Sequence, residues 1–140
     1  MPIRDFPFLT PWPGGPPNVW LPIRVINPSS AAYQDTYGLI DTGASRCTIP
    51  GFIAEAIGYQ IDKGTPTPCH TGSGDDVSYE HNISIKIFNL TGDCVYTIDP
   101  AQMGVMKKLP YVLLGVQELS GKFHLHVDYP KQIFSVKTSL

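Results

Sequence analysis

The clearest pattern of apolar and polar positions along the chain is strict alternation. Val77, Tyr79, His81, Ile83, Ile85 and Ile87 alternate with Ser78, Glu80, Asn82, Ser84 and Lys86. Period two predicts a strand with one buried face. The run is longer than the usual strand of roughly 5–6 residues, so it bends or serves two sheets. Phe123, Leu125 and Val127 alternate in the same way with His124, His126 and Asp128. After a turn containing Pro130, residues 133–136 close a final hairpin. Residues 111–114 form an unbroken apolar run ending at Gly115, the pattern of a strand buried on both faces. Residues 19–26 read as a first strand, with Pro22 making it an edge or a bulged strand. Shorter strands are expected at 37–40, 47–49 and 94–98. Helical signals are few. Pro50 and Gly58 bracket a short helix, whose buried face would be Phe52, Ile53, Ala56 and Ile57. Residues 116–120 fit one or two helical turns. Residues 64–76 read as a turn-rich stretch with Gly72, Ser73 and Gly74 near its tip.

Composition supports this mostly β reading. The 140 residues fit one domain. Fourteen prolines and 13 glycines disfavour a helix bundle. Eight of the prolines fall within residues 1–28, so residues 1–17 form a Pro-rich arm, either a flexible leader or a segment packed on the body, and 18–140 the domain proper. A net charge of −2 leaves no electrostatic footprint for nucleic acid. No stretch approaches the ~20 apolar residues of a membrane helix. The N-terminus lacks the apolar run of a signal peptide, so a cytoplasmic location is expected and the sequons at Asn82 and Asn89 read as chance. Three cysteines, Cys47, Cys69 and Cys94, are too few and odd for a disulfide framework.

The strongest local signal is Leu39-Ile40-Asp41-Thr42-Gly43-Ala44-Ser45. About 70 residues later comes Val112-Leu113-Leu114-Gly115. An Asp-initiated turn between strands would explain the first element but not the second. Together the two resemble the retropepsin-like aspartic proteases, the single-lobed relatives of pepsin, over roughly residues 20–136. The segment from 114 to 136 looks more like the bacterial and cellular branches than the compact viral enzymes. The resemblance implies an all-β fold, a closed barrel with one or two short helices. It makes Asp41, Thr42 and Gly43 the catalytic loop, with the Thr42 hydroxyl in a network that holds paired loops rigid. Leu113, Leu114 and Gly115 would pack behind that loop. Ala44, Ser45, Arg46 and a flap tip of Thr71, Gly72, Ser73 and Gly74 would contact substrate.

The chemistry explains these residue types. Hydrolysis of a peptide without metal or covalent intermediate needs an activated water and an acid for the leaving nitrogen. Two carboxyls about 3 Å apart cannot both ionise, so one serves as base and the other as acid. Gly43 lets backbone approach the carboxylate. The chain holds one Asp-Thr-Gly and no second Asp-Thr/Ser-Gly. The expected unit is therefore a homodimer with one Asp41 from each copy, cleaving an extended polypeptide, with no cofactor and no metal. Residues 123–127 and 133–136 are candidates for the dimer strands. The main alternative is an inactive peptide-binding or scaffold module on the same fold.

Departures from the family pattern carry their own expectations. Ala44 stands where pepsin-like enzymes often have serine, which implies a less acidic dyad and a weakly acidic optimum. Ser45 and Arg46 stand where viral members commonly have acidic residues. Val116-Gln117-Glu118 replaces the viral arginine-containing sequence after Gly115, so Arg46 meets a substrate carboxylate or Glu118, or is solvated. His124 and His126 share one face of a strand at a spacing that matches no zinc signature, and read as solvated or interface histidines. His81 reads as a satisfied core histidine.

Overall fold

The computed structural model describes residues 3–72 and 74–138. Ten strands are found there: β1 (Ile3–Pro7), β2 (Trp20–Ile26), β3 (Tyr33–Ile40), β4 (Thr48–Pro50), β5 (Thr65–Thr71), β6 (Gly74–Phe88), β7 (Cys94–Met106), β8 (Val112–Leu114), β9 (Phe123–Asp128) and β10 (Ile133–Thr138). One short helix, α1 (Gly51–Ala56), and 3-10 turns at Ile61–Lys63 and Ser120–Lys122 complete them. The expected all-β class stands, with a closed six-stranded barrel. Among the described residues no helix is long and apolar enough to cross a membrane.

The barrel runs β2-β3-β8-β4-β7-β6 and closes where β6 returns to β2. The long alternating strand makes closure possible. Its start pairs with β5 from Thr71↔Gly74 to Thr65↔Glu80, its body pairs with β7, and Ser84 to Ile87 also pair with β2. Alternation becomes burial only in that last part: Ile83, Ile85 and Ile87 are fully buried, whereas Val77 is 39% exposed. The outer half of β6 has left the barrel with β5. There only Tyr79 of the apolar positions reaches the edge of the core, and it is half-buried.

Inside the barrel, Leu21, Ile23 and Val25 of β2 share one cluster with Ile49, Met103, Val112 and Leu114. Each such side chain contributes about 1.5–3 kcal/mol by leaving water. Pro22 lies just before residues 23–26, where β2 acquires its second neighbour, so its missing N–H is tolerated as at an edge.

A second sheet, β1-β10-β9, covers one side of the barrel. Part of the Pro-rich arm belongs to it: Ile3 and Phe6 are buried and pair with Val136 and Phe134 of β10. They sit three residues apart, and a bulge at Asp5, whose φ is 50°, turns both inward.

Three expectations need correction. Residues 65–71 form strand β5 rather than a turn-rich stretch; its prolines are tolerated because β5 is an edge. Strand β7 continues past residue 98 to Met106, with Pro100 absorbed where the β6–β7 register shifts. The buried face of α1 is Ile53, Ala54 and the following Ile57, while Phe52 is 61% exposed and Ala56 also points outward. The helix is six residues long, too short for the full period to set its orientation.

Candidate active site

Strands β3 and β8 lie parallel, in register Gly38↔Val112, Leu39↔Leu113 and Ile40↔Leu114. The two sequence motifs are thus brought side by side. Asp41 leaves the end of β3 with its N–H donating to the Leu114 carbonyl at 3.1 Å. The chain then turns on the Asp41 side chain: Gly43 N–H donates to Asp41 Oδ1 at 2.9 Å, and Ala44 N–H to the Asp41 carbonyl at 3.2 Å. A Cβ on residue 43 would lie 3.2 Å from that same Oδ1, so glycine allows the close approach expected of it.

Two further bonds join this loop to the one after β8. Val116 N–H donates to the Ala44 carbonyl and Gln117 N–H to that of Ser45, each at 2.9 Å. Gly115 is required at the crossing, because a Cβ there would stand 2.2–2.6 Å from Arg46 backbone atoms. Its N–H donates to the Cys47 thiol at 3.3 Å. Cys47 N–H in turn donates to Glu118 Oε2 at 3.2 Å, and Glu118 is buried. Burial pushes the Cys47 thiol up to about 12, so it is a structural group and not a nucleophile.

Arg46 crosses from this floor to the wall. Its guanidinium pairs with Glu80 of β6 and donates to the Gln102 carbonyl of β7. Its Nε stands 4.0 Å from Glu118 Oε1, an ion pair without a hydrogen bond. Glu118 was legible as a partner from the sequence. Glu80, 34 residues away, was not, because only the sheet order β4-β7-β6 brings β6 to the loop.

A cleft of about 500 Å³ opens above. Asp41, Gly43, Ala44, Ser45 and Arg46 form its floor, Met106, Leu109 and Leu113 part of its walls, and residues 67–72 its roof. The roof is the β5–β6 hairpin, whose Thr71 Oγ1 donates to the Gly74 carbonyl at 2.8 Å. Of the expected tip residues, Thr71 and Gly72 line the cleft, Gly74 starts β6, and Ser73 lies outside the described residues. Thr42 is exposed, and among the described residues its hydroxyl has no partner within the chain. Leu114 and Gly115 are buried behind the loop, while Leu113 reaches the cleft. Asp41 is half-buried. Glu80, the other carboxylate lining the cleft, is engaged by Arg46. A hollow of about 520 Å³ over Arg24, Asp35 and Phe88 contains no motif residue, and Arg24 there is paired with Asp35 at 2.7 Å.

Fold and loop geometry together define a single-lobed barrel of the retropepsin-like class. No family model matches the chain, and no curated protein does. Among solved structures it is similar to a retropepsin-like aspartic protease from Rickettsia conorii. The TM-score is 0.54 at 16% identity, covering 86% of this chain and 83% of that one. A likeness at this identity establishes the fold.

Proposed function

We propose that this chain is one subunit of a homodimeric aspartic endopeptidase, with Asp41 of each copy supplying one carboxyl of a water-activating pair. One observation carries the reading: Asp41, its carboxylate oriented by Gly43 N–H at 2.9 Å, stands in the floor of a roofed cleft on a retropepsin-like fold. Across a two-fold axis, the two Asp41 carboxyls share one proton. The ionised one takes a proton from water, and the protonated one polarises the scissile carbonyl and then supplies the leaving nitrogen. The Thr42 hydroxyl, without a partner among the described residues of its own chain, has the partner loop to bond to.

The substrate is a polypeptide bound in extended form between floor and roof, held through its backbone. Ala44, Ser45 and Arg46 meet it from below and Thr71, Gly72, Ser73 and Gly74 from above. Leu113, Leu114 and Gly115 hold the loop from behind. Met106, Leu109 and Leu113 favour apolar side chains beside the scissile bond.

The test is peptide cleavage by Asp41→Asn. The rate should fall by about 10²–10⁴-fold, with the circular dichroism spectrum and sedimentation unchanged. Undiminished cleavage by this variant, or cleavage by a protein monomeric at every concentration, refutes the shared pair.

A further inference from the structure

The roof reverses the usual placement of apolar and polar side chains. Directly opposed residues of paired strands share a face, so the β5–β6 register sorts the hairpin into two faces. Thr67 with Ser78, Cys69 with Asp76, and Glu80 lie on one; Pro66 with Tyr79 and Pro68 with Val77 lie on the other. The first face looks into the cleft, which Thr67, Cys69, Ser78 and Glu80 line. On the second, Pro66, Pro68 and Val77 are exposed. Pro68 borders the cleft from the edge strand, but Pro66, Val77 and Tyr79 do not. Burial in a core selects apolar residues for the inner face. Here the half-buried inner positions Asp76, Ser78 and Glu80 are polar, and the exposed outer ones are apolar.

The polar surface continues onto the barrel wall. Gly104 of β7 is in register with Thr48 of β4 and with Glu80 of β6. A Cβ at residue 104 would collide with Ser78 Oγ and stand 3.8 Å from Thr48 Cγ2. Glycine therefore opens a recess between β4 and the roof, into which the Ser78 hydroxyl is turned. Arg46 closes one side of it, pairing with Glu80 and donating to the Gln102 carbonyl, so the two charges offset each other. Among the described residues the Thr67 and Ser78 hydroxyls have no hydrogen-bond partner. Each offers one donor and two lone pairs to whatever fills the cleft. The recess adjoins the apolar wall, since Thr48 is directly opposed to Leu113.

We propose that this recess is a subsite for an uncharged polar side chain of the substrate, one bearing a hydroxyl or a carboxamide. The proposal rests on the endopeptidase reading and names its substrate class: an extended segment with a polar side chain close in sequence to the apolar one beside the scissile bond. A bound peptide expels water from the recess. An aliphatic side chain there leaves the Thr67 and Ser78 hydroxyls buried without partners, which is costly, whereas a hydroxyl or amide restores their hydrogen bonds. A carboxylate would face Glu80 and an ammonium group Arg46, and either would lose its own hydration. Sites that hydrogen-bond a substrate group discriminate strongly against the isostere that lacks it.

Threonine and valine have the same shape and differ by the hydroxyl. A peptide series that exchanges them at each position flanking one scissile bond therefore isolates that group. At one position the threonine peptide should show a kcat/KM at least ~10-fold above its valine counterpart, and asparagine should surpass both leucine and aspartate there. Thr67→Val/Ser78→Ala should bring the threonine-to-valine ratio close to unity, with an unchanged circular dichroism spectrum. The ratio compares two substrates on one protein, so a general loss of activity or stability does not move it. A threonine preference found at no position, or one that survives the double variant, overturns the subsite, while cleavage that Asp41→Asn still abolishes leaves the endopeptidase reading in place. A chain that cleaves none of the peptides overturns both readings.

Discussion

The floor and the roof of the cleft are built in opposite ways. The floor is core: Cys47, Val112 and Leu114 are fully buried, Glu118 is 5% exposed, and main-chain and side-chain hydrogen bonds fasten the Asp41 loop to the one after β8. The roof is a two-stranded ribbon outside the barrel. No residue of β5, and none of β6 before Ile83, is fully buried. An isolated hairpin is marginally stable in water, and segments with few buried contacts open without global unfolding. The position of Asp41 is therefore tied to the stability of the whole fold, while the roof has little burial to hold it in place.

Glycines give the largest test of this contrast. Gly115→Ala forces a methyl to within 2.2–2.6 Å of Arg46 backbone, which cannot rotate away. The expected cost is about 3 kcal/mol, read as a fall in the urea midpoint. Gly72→Ala meets nothing within 4 Å and should leave that midpoint unchanged. Equal losses at the two sites would abolish the distinction between floor and roof.

The same contrast divides what the sequence made legible. The floor announces itself, since Asp41-Thr42-Gly43 and Val112-Leu113-Leu114-Gly115 are contiguous motifs whose backbone demands fix residue types. Strands inside the barrel are legible because alternation there coincides with burial. The roof was concealed: Pro66 and Pro68 look like turn residues, and only the sheet order shows that β5 is an edge able to accept them. Pro100 hid half of β7 in the same manner, because a bulge is a property of two strands. Strand β1 was hidden by the positive φ of Asp5, which breaks period two. The Arg46–Glu80 pair joins residues 34 apart, and no local pattern encodes a contact made across the sheet order β4-β7-β6.

A smaller effect, confined to the floor, comes from Cys47. Burial raises its thiol from 9.0 to about 12. Above pH 9 the unfolded chain gives up this proton while the folded chain keeps it. The folded state then binds more protons, so stability falls as pH rises from 9 toward 12, by up to about 1.4 kcal/mol per pH unit. Urea titrations at pH 9 and 10 should show this decline in the parent protein and a flatter one in Cys47→Ala. Tyr59, which burial also raises to about 12 from an ordinary value of 10.0, adds its own decline as the pH reaches 10, and Cys47→Ala leaves that part in place. Identical slopes would mean that the floor admits water to the thiol.

The smallest expected effect lies on the roof. His70 Nδ1 and Asp75 Oδ1 stand 2.6 Å apart across the hairpin, directly opposed in register. Their side chains are 90% and 85% exposed, so solvent and salt screen the pair, and such exposed pairs contribute little. Asp75→Asn should therefore leave the urea midpoint unchanged both at pH 5.5 and at pH 8. A lowered midpoint restricted to pH 5.5 would show that unfolding of the hairpin is coupled to that of the barrel. The roof would then belong to the same cooperative unit as the floor, and the freedom to open independently would be lost.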